Sequence, residues 1–244
     1  CCMLHVIDEA NRCIQCPKPL CREGCPIKTP IPQFIKLFRD GKILEAGRMN
    51  ILNNPLSIIC SMVWPHEAFC EGHCILGRKS TPIQISSIEN YIAEYNLDNL
   101  DLEPLREYEG RIAIIGGGPA GIAMAFYLAT RGYRTAIYEA REKIGGILRY
   151  GIPQFRLPNT TIERVEAKLL ELGVVIHPNT LVGPVLAVSD LFRDGFDAVF
   201  MSTGVWKPRK MGLKGESLPH VHYAIDYLKS PEAYRLGQRV AVIG

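Results

Sequence analysis

The chain has 244 residues, 47% of them hydrophobic, and a net charge of +3, which allows one or two domains with an apolar core. So small a charge, with no basic run interleaved with aromatics, argues against a nucleic-acid surface. No stretch approaches about 18 consecutive apolar residues, so no membrane-spanning helix is expected. All nine cysteines, at 1, 2, 13, 16, 21, 25, 60, 70 and 74, precede residue 75, so the chain divides into two chemically different parts. With no signal peptide, this cysteine use points to reduced thiols and a cytoplasmic location. The chain begins Cys-Cys and stops at Val-Ile-Gly in mid-motif, which reads as a fragment of a longer protein.

Residues 1–12 read as the end of a helix, with Cys1 and Cys2 as terminal bystanders. The run Cys13-x2-Cys16-x4-Cys21-x3-Cys25-Pro26 follows, close to the C-x2-C-x2-C-x3-C-P spacing that holds iron–sulfur clusters. A cubane needs soft thiolates converging from several directions, and short loops with Gly and Pro let the backbone fold around it. In two-cluster ferredoxins the fourth cysteine of such a run serves the other cluster, so Cys25 is a candidate for either the first site or a second one. Zinc is the rival reading, although neither C-x4-C-x3-C nor Cys70-x3-Cys74 repeats a zinc-ribbon pair. A disulfide framework suits short secreted chains and is set aside.

Helical patterns are expected over 33–40, stopped by Gly41, over 43–51, and from Asn53-Asn54-Pro55 through Val63. Cys70-Glu71-Gly72-His73-Cys74 forms a second cysteine loop, with His73 as a polar loop residue, and a further helix covers 83–95. This part reads as short helices packed around cofactors rather than around a large core. Residues 97–110, acidic and containing Pro104, read as a linker.

Periodicity then changes. Ile112–Ile115 is a buried strand, followed by a glycine loop and a helix over 122–130 closed by Gly132. Strands over 135–139, 174–176 and 198–201, with a charged helix over 162–172, complete an α/β alternation with a parallel sheet. Gly116, Gly118 and Gly121 give G-x-G-x-x-G in the strand–helix context that a dinucleotide site requires. The first glycine makes the turn, the second admits a pyrophosphate, and the third lets helix and strand pack closely. Glu139, eighteen residues beyond Gly121, is placed to accept ribose hydroxyls and disfavours a 2′-phosphate, so this first site is not one for NADP. Arg239–Gly244 repeats the pattern of Arg111–Gly116, as if a second Rossmann unit begins there. No Ser/His/Asp or Cys/His constellation is present, and Trp206 reads as core.

Taken together and in order, the cysteine run, Cys70-Glu71-Gly72-x-Cys74, the glycine loop, Gly145-Gly146 and Ile152-Pro153-x-Phe155-Arg156-Leu157-Pro158 closely resemble the small (β) subunit of NADPH-dependent glutamate synthase and the N-terminal half of dihydropyrimidine dehydrogenase. The resemblance implies a helical domain with two [4Fe-4S] clusters over 1–106, a Rossmann-type FAD domain over 107–238, and the start of a truncated NAD(P) domain over 239–244. It further implies that Cys13, Cys16, Cys21 and Cys74 hold one cluster, and that Cys25, Cys70 and the group at Glu89 serve the other. Gly116, Gly118, Pro119, Ala120, Gly121, Glu139, Ala140, Gly145, Gly146 and Arg156 would bind FAD, with backbone near Val182 at its adenine end. NADPH would reduce the flavin and the clusters would pass electrons to a larger partner subunit, with no nucleic acid or membrane involved. Pyrimidine reduction and electron exchange with ferredoxin are the alternatives, and a non-catalytic cluster-and-flavin scaffold is the alternative of another class.

One position departs from the pattern: where the family places a ligand in a Val-Cys-Pro step, this chain has Val63-Trp64-Pro65. Cys60 lies one helical turn earlier and is the substitute ligand the sequence offers. An incomplete cluster or an empty site are the other outcomes.

Overall fold

The computed structural model describes residues 5–102, 108 and 110–243; Cys1, Cys2, Pro104 and the expected boundary at 106/107 lie outside the described residues. The first part is helical: α1 (Val6–Asn11), α2 (Leu20–Gly24), α3 (Ile31–Arg39), α4 (Ile43–Asn53), α5 (Ser57–Val63) and α6 (Ile85–Asn99). Helix α3 shows why these segments fold: Ile31, Phe34, Ile35 and Phe38 recur at helical spacing and are buried, while Lys36 and Arg39 sit in its last turn. Gly41 ends it, with the Gly41 and Lys42 amides donating to the carbonyls of Phe38 and Leu37, a Schellman pattern.

The cofactor-centred packing expected for this part needs correcting. Phe34, Ile31, Ile35, Ile85, Ile88 and Ile92 are fully buried and form an apolar core of their own. Cys13, Cys21, Cys25 and Cys74 pack against its edge, and Cys70 lies within it. The expected linker also starts too early, because α6 continues to Asn99 with Leu97 buried. Buried Asn96, at a core-facing position, donates to the carbonyls of Ile43 and Ile92 and so extends the buried face past the apolar pattern.

The second part is a parallel sheet in the order β3-β2-β1-β4, from β1 (Arg111–Ile115), β2 (Arg134–Tyr138), β3 (Val175–His177) and β4 (Ala198–Met201). The crossovers are α7 (Pro119–Ala129), then α8 (Ile147–Tyr150) with α9 (Asn159–Glu171), then α10 (Val188–Arg193). Strand order reverses beside β1, so the crevice beyond its carboxyl end is the place where an open parallel sheet binds a ligand. Helix α7 starts three residues earlier than the apolar pattern indicates, since Pro at the first helical position is compatible with a helix start.

Beyond β4 the chain is largely irregular, with α11 (Ala224–Lys229) as its longest helix. Residues 239–243 form no strand: Val242 is 88% exposed, and no neighbouring strand pairs with this segment among the described residues. Apolar sequence alone does not make a strand without a ladder partner.

The two parts share one core. Ile58 and Ile59 of α5 and Ala93 and Leu97 of α6 belong to the same buried cluster as Ile122, Phe126, Ile162, Val165 and Leu169. At its margin Arg164 of α9 reaches Glu94 Oε2 at 2.6 Å and Asp98 Oδ2 at 2.8 Å. Lys168 donates to the Leu100 carbonyl at 3.2 Å. No helix among the described residues is long and apolar enough to cross a membrane.

Because Leu169 is fully buried in the shared core, Leu169→Ala is expected to cost about 2–5 kcal/mol in urea unfolding. The partly exposed clasp is worth less, and Arg164→Ala is expected to cost about 1 kcal/mol. A smaller cost for Leu169→Ala than for Arg164→Ala contradicts a load shared mainly through packing.

Candidate functional site

Four thiols from distant positions converge first. Cys13 follows α1, Cys16 lies in the next loop, Cys21 sits in the first turn of α2, and Cys74 precedes the helical turn Ile75–Arg78. All four line one solvent-open cavity, otherwise walled by aliphatic side chains including Leu20, Ile35 and Ile85. Long-range hydrogen bonds hold the loop: Arg39 donates to the Cys13 carbonyl at 3.0 Å, and Arg12 joins Glu9 at 2.6 Å to the Thr81 carbonyl at 2.6 Å. Burial raises the Cys13 thiol and pushes Cys21 up to about 11, with the neighbouring cysteines adding to the effect. A group that withdraws charge from the sulfurs therefore has to accompany their ionisation. No three His, Cys, Asp or Glu groups among the described residues come close enough to hold a single metal ion. The thiols surround a space rather than a point, which suits a polynuclear cluster better than zinc.

A second cavity, of about 160 Å³, is lined by Cys25, Cys60, Cys70, Glu89, Trp64 and His66 among others. Ile31 lines both cavities. Glu89 on α6 is buried, and its Oε1 accepts from the Ser57 hydroxyl at 2.7 Å. Burial pushes this carboxyl up to about 7 despite that hydrogen bond, and pushes Cys70 up to about 12. Trp64 is 43% exposed, with its ring 5.1 Å from that of Phe69. His66 is the residue that sequence reading misses: it is buried against this cavity, and nothing in its spacing marks it apart from a position two residues beyond Trp64.

The third site is the loop after β1. Gly116 has φ +100°, and Gly118 caps α7. A Cβ on Gly121 would lie 2.0 Å from the Gly116 carbonyl oxygen, and one on Gly146 would lie 2.7 Å from Gly118 Cα. The Gly145 amide donates to the Gly117 carbonyl at 2.7 Å, so the Gly145–Gly146 turn is fastened against the first loop. Pro119 and Ala120 open α7, whose unpaired amides and dipole favour a phosphate. Glu139 is buried; its Oε2 accepts from the Gly117 amide at 2.7 Å and its Oε1 from the Arg141 amide at 2.9 Å. The carboxylate expected to meet a ribose thus also braces the loop, across Ala140, and each oxygen keeps a lone pair for a hydroxyl. The Thr180 amide donates to the Glu139 carbonyl, which brings the segment reaching Val182 to the same end of the sheet. Arg156 lies on an exposed turn, and its guanidinium makes no hydrogen bond or ion pair among the described residues.

Two further expectations meet the structure here. His73 is exposed and pairs with the Phe69 carbonyl, as a polar loop residue would. Trp206 is not core: it is half-buried, with the Arg141 guanidinium 4.0 Å from its ring centre and Lys229 at 5.4 Å. Cations over its ring, rather than aliphatic side chains, account for its placement.

Comparison with known proteins matches different stretches of the chain to different families. Residues 3–100 match the family described as dihydropyrimidine dehydrogenase domain II, 4Fe-4S cluster, and residues 110–244 match pyridine nucleotide-disulphide oxidoreductase. The chain is 35% identical over 237 residues to a glutamate synthase [NADPH] small chain of Azospirillum brasilense, covering 96% of this chain and 49% of that protein. It is 33% identical over 228 residues to the NAD-dependent dihydropyrimidine dehydrogenase subunit PreT of Salmonella typhimurium, covering 93% and 55%. The chain therefore spans about half the length of these curated relatives. A solved complex of 2-naphthoyl-CoA reductase with 2-naphthoyl-CoA aligns with TM-score 0.50 at 19% identity, over 87% of this chain and 29% of that one, and so shares the fold.

The close approach at the glycine loop gives a direct test. Gly121→Ala is expected to cost about 1–3 kcal/mol by pushing α7 off β1. Gly237→Ala, with open space around its Cβ, is expected to stay within about 0.5 kcal/mol. Equal effects in thermal unfolding contradict the packing role of Gly121.

Proposed function

The chain belongs to the pyridine nucleotide-disulphide oxidoreductase family, matched over residues 110–244, and from that premise we propose that it is the electron-input module of an FAD- and iron–sulfur-dependent oxidoreductase of the glutamate synthase small-chain type. The observation that carries this reading is the convergence of Cys13, Cys16, Cys21 and Cys74 on one apolar cavity, in a chain that also presents a braced glycine loop. Bound FAD and [4Fe-4S] clusters would supply the conversion of a hydride from NADPH into single electrons.

The residues present fit these groups. The four thiols would hold the first cluster, with Leu20, Ile35 and Ile85 as apolar wall beside it. Gly116, Gly118 and Gly121 would let the FAD pyrophosphate reach the start of α7, with Pro119 and Ala120 in its first turn. Glu139 would orient the ribose beside Ala140, Gly145 and Gly146 would keep a second wall free of side chains, and Arg156 would contribute its unpartnered cation. Backbone near Val182 would border the adenine end. No side chain need act as acid or base.

The proposed organisation is a cluster domain over 1–106, an FAD domain over 107–238 and the start of a nicotinamide domain from 239. A larger catalytic subunit would accept the electrons, in the cytoplasm. A dihydropyrimidine dehydrogenase-like acceptor is the second reading, favoured by the description of the family matched over 3–100. The two relatives above are named for NADPH and for NAD, so preference between these nicotinamides is proposed from the first of them alone.

Anaerobic mixing of the full-length protein with NADPH is expected to bleach the flavin and then reduce the clusters. Cys21→Ala should keep the flavin bleaching while the protein loses about four irons. A protein without iron, or a flavin that NADPH leaves oxidised, contradicts the proposal.

A further inference from the structure

The second cavity gathers donors that a cluster could use, but not at the position where the family carries its ligand. Cys25 comes from the end of α2, Cys60 from α5, and Cys70 from the loop beyond it. Glu89 comes from α6, more than nine-tenths buried, and its Oε2 has no hydrogen-bond partner among the described residues. This oxygen belongs to a side chain of the cavity wall, and its lone pairs are available to a group bound there. Trp64 cannot ligate iron. It stands one turn beyond Cys60, with its amide donating to the Cys60 carbonyl at 3.0 Å, so both face the same space. The Cys60 thiol lines the same cavity as Cys25, Asn54 and Glu89.

We infer that this cavity holds a second iron–sulfur cluster on Cys25, Cys60, Cys70 and Glu89, with Cys60 replacing the thiolate that position 64 lacks and with Trp64, against Phe69, covering the site. Three soft thiolates and one carboxylate oxygen supply the four ligands that the four corner irons need. His66, buried in the same wall, is the competing fourth donor and serves here as wall only. The inference rests on the function proposed above, since it requires that the chain assemble clusters at all.

Iron and acid-labile sulfide are to be measured on the chain purified anaerobically, with flavin content as the independent report of folding. The wild-type chain is expected to carry about eight irons and eight sulfides. Cys60→Ser should halve both, to about four, with flavin unchanged. Adding Trp64→Cys to Cys60→Ser should restore about eight, and His66→Asn alone should leave eight. Wild-type iron in Cys60→Ser overturns the inference, as does a halving in His66→Asn without one in Cys60→Ser. Four irons in the wild type, all lost in Cys21→Ser, overturn this inference but leave the proposed function standing. No iron in any variant overturns both.

Discussion

Helices α5 and α6 are held between two demands: each contributes a wall to the second thiol cavity, and each packs its apolar side against α9 of the sheet part. The rest of the arrangement follows from that double use. Burial of Ile58, Ile59, Ala93 and Leu97 with Val165 and Leu169 removes apolar surface from water at roughly 25 cal/mol per Å², and the same contacts fix the cysteine-rich part against the nucleotide fold. The Arg164 clasp to Glu94 and Asp98 adds direction, because a planar guanidinium reads carboxylates in a fixed geometry. Glu89 stands five residues before Glu94 on α6, so the helix that carries the buried carboxylate is the one the clasp holds.

This packing also sets the order of the sites. The cavity built from α5 and α6 lies beside the sheet part, and the cavity of Cys13, Cys16, Cys21 and Cys74, on the side of α1 and α2, shares Ile31 with it. A chain that takes in electrons at the glycine loop and delivers them at the first cavity would thus have the second one in between. On the proposed reading, a thiol at Cys60 would keep that order intact despite Trp64.

What the sequence makes legible is whatever depends on short spacing. The cysteine run, the second cysteine loop, the glycine loop and Glu139 could all be located, because a turn of backbone around a ligand leaves a fixed interval between residues. Helix existence was also legible from the 3.6-residue apolar period, as in α3 and α9, whereas helix ends were not: Asn96 and Pro119 continue helices beyond the apolar pattern through hydrogen bonding and a fixed φ. Long-range assembly was out of reach. The burial of His66 and the cations over Trp206 come from partners brought together by the fold, and an apolar run at 239–243 looks like a strand until one asks what it would pair with.

Anomalous scattering at the iron edge, from crystals of the anaerobically prepared protein, tests the central claim most directly. The account predicts two separate iron centres, one bounded by Cys13, Cys16, Cys21 and Cys74 and the other by Cys25, Cys60, Cys70 and Glu89. A single centre in the first cavity, with the second free of iron, would contradict it.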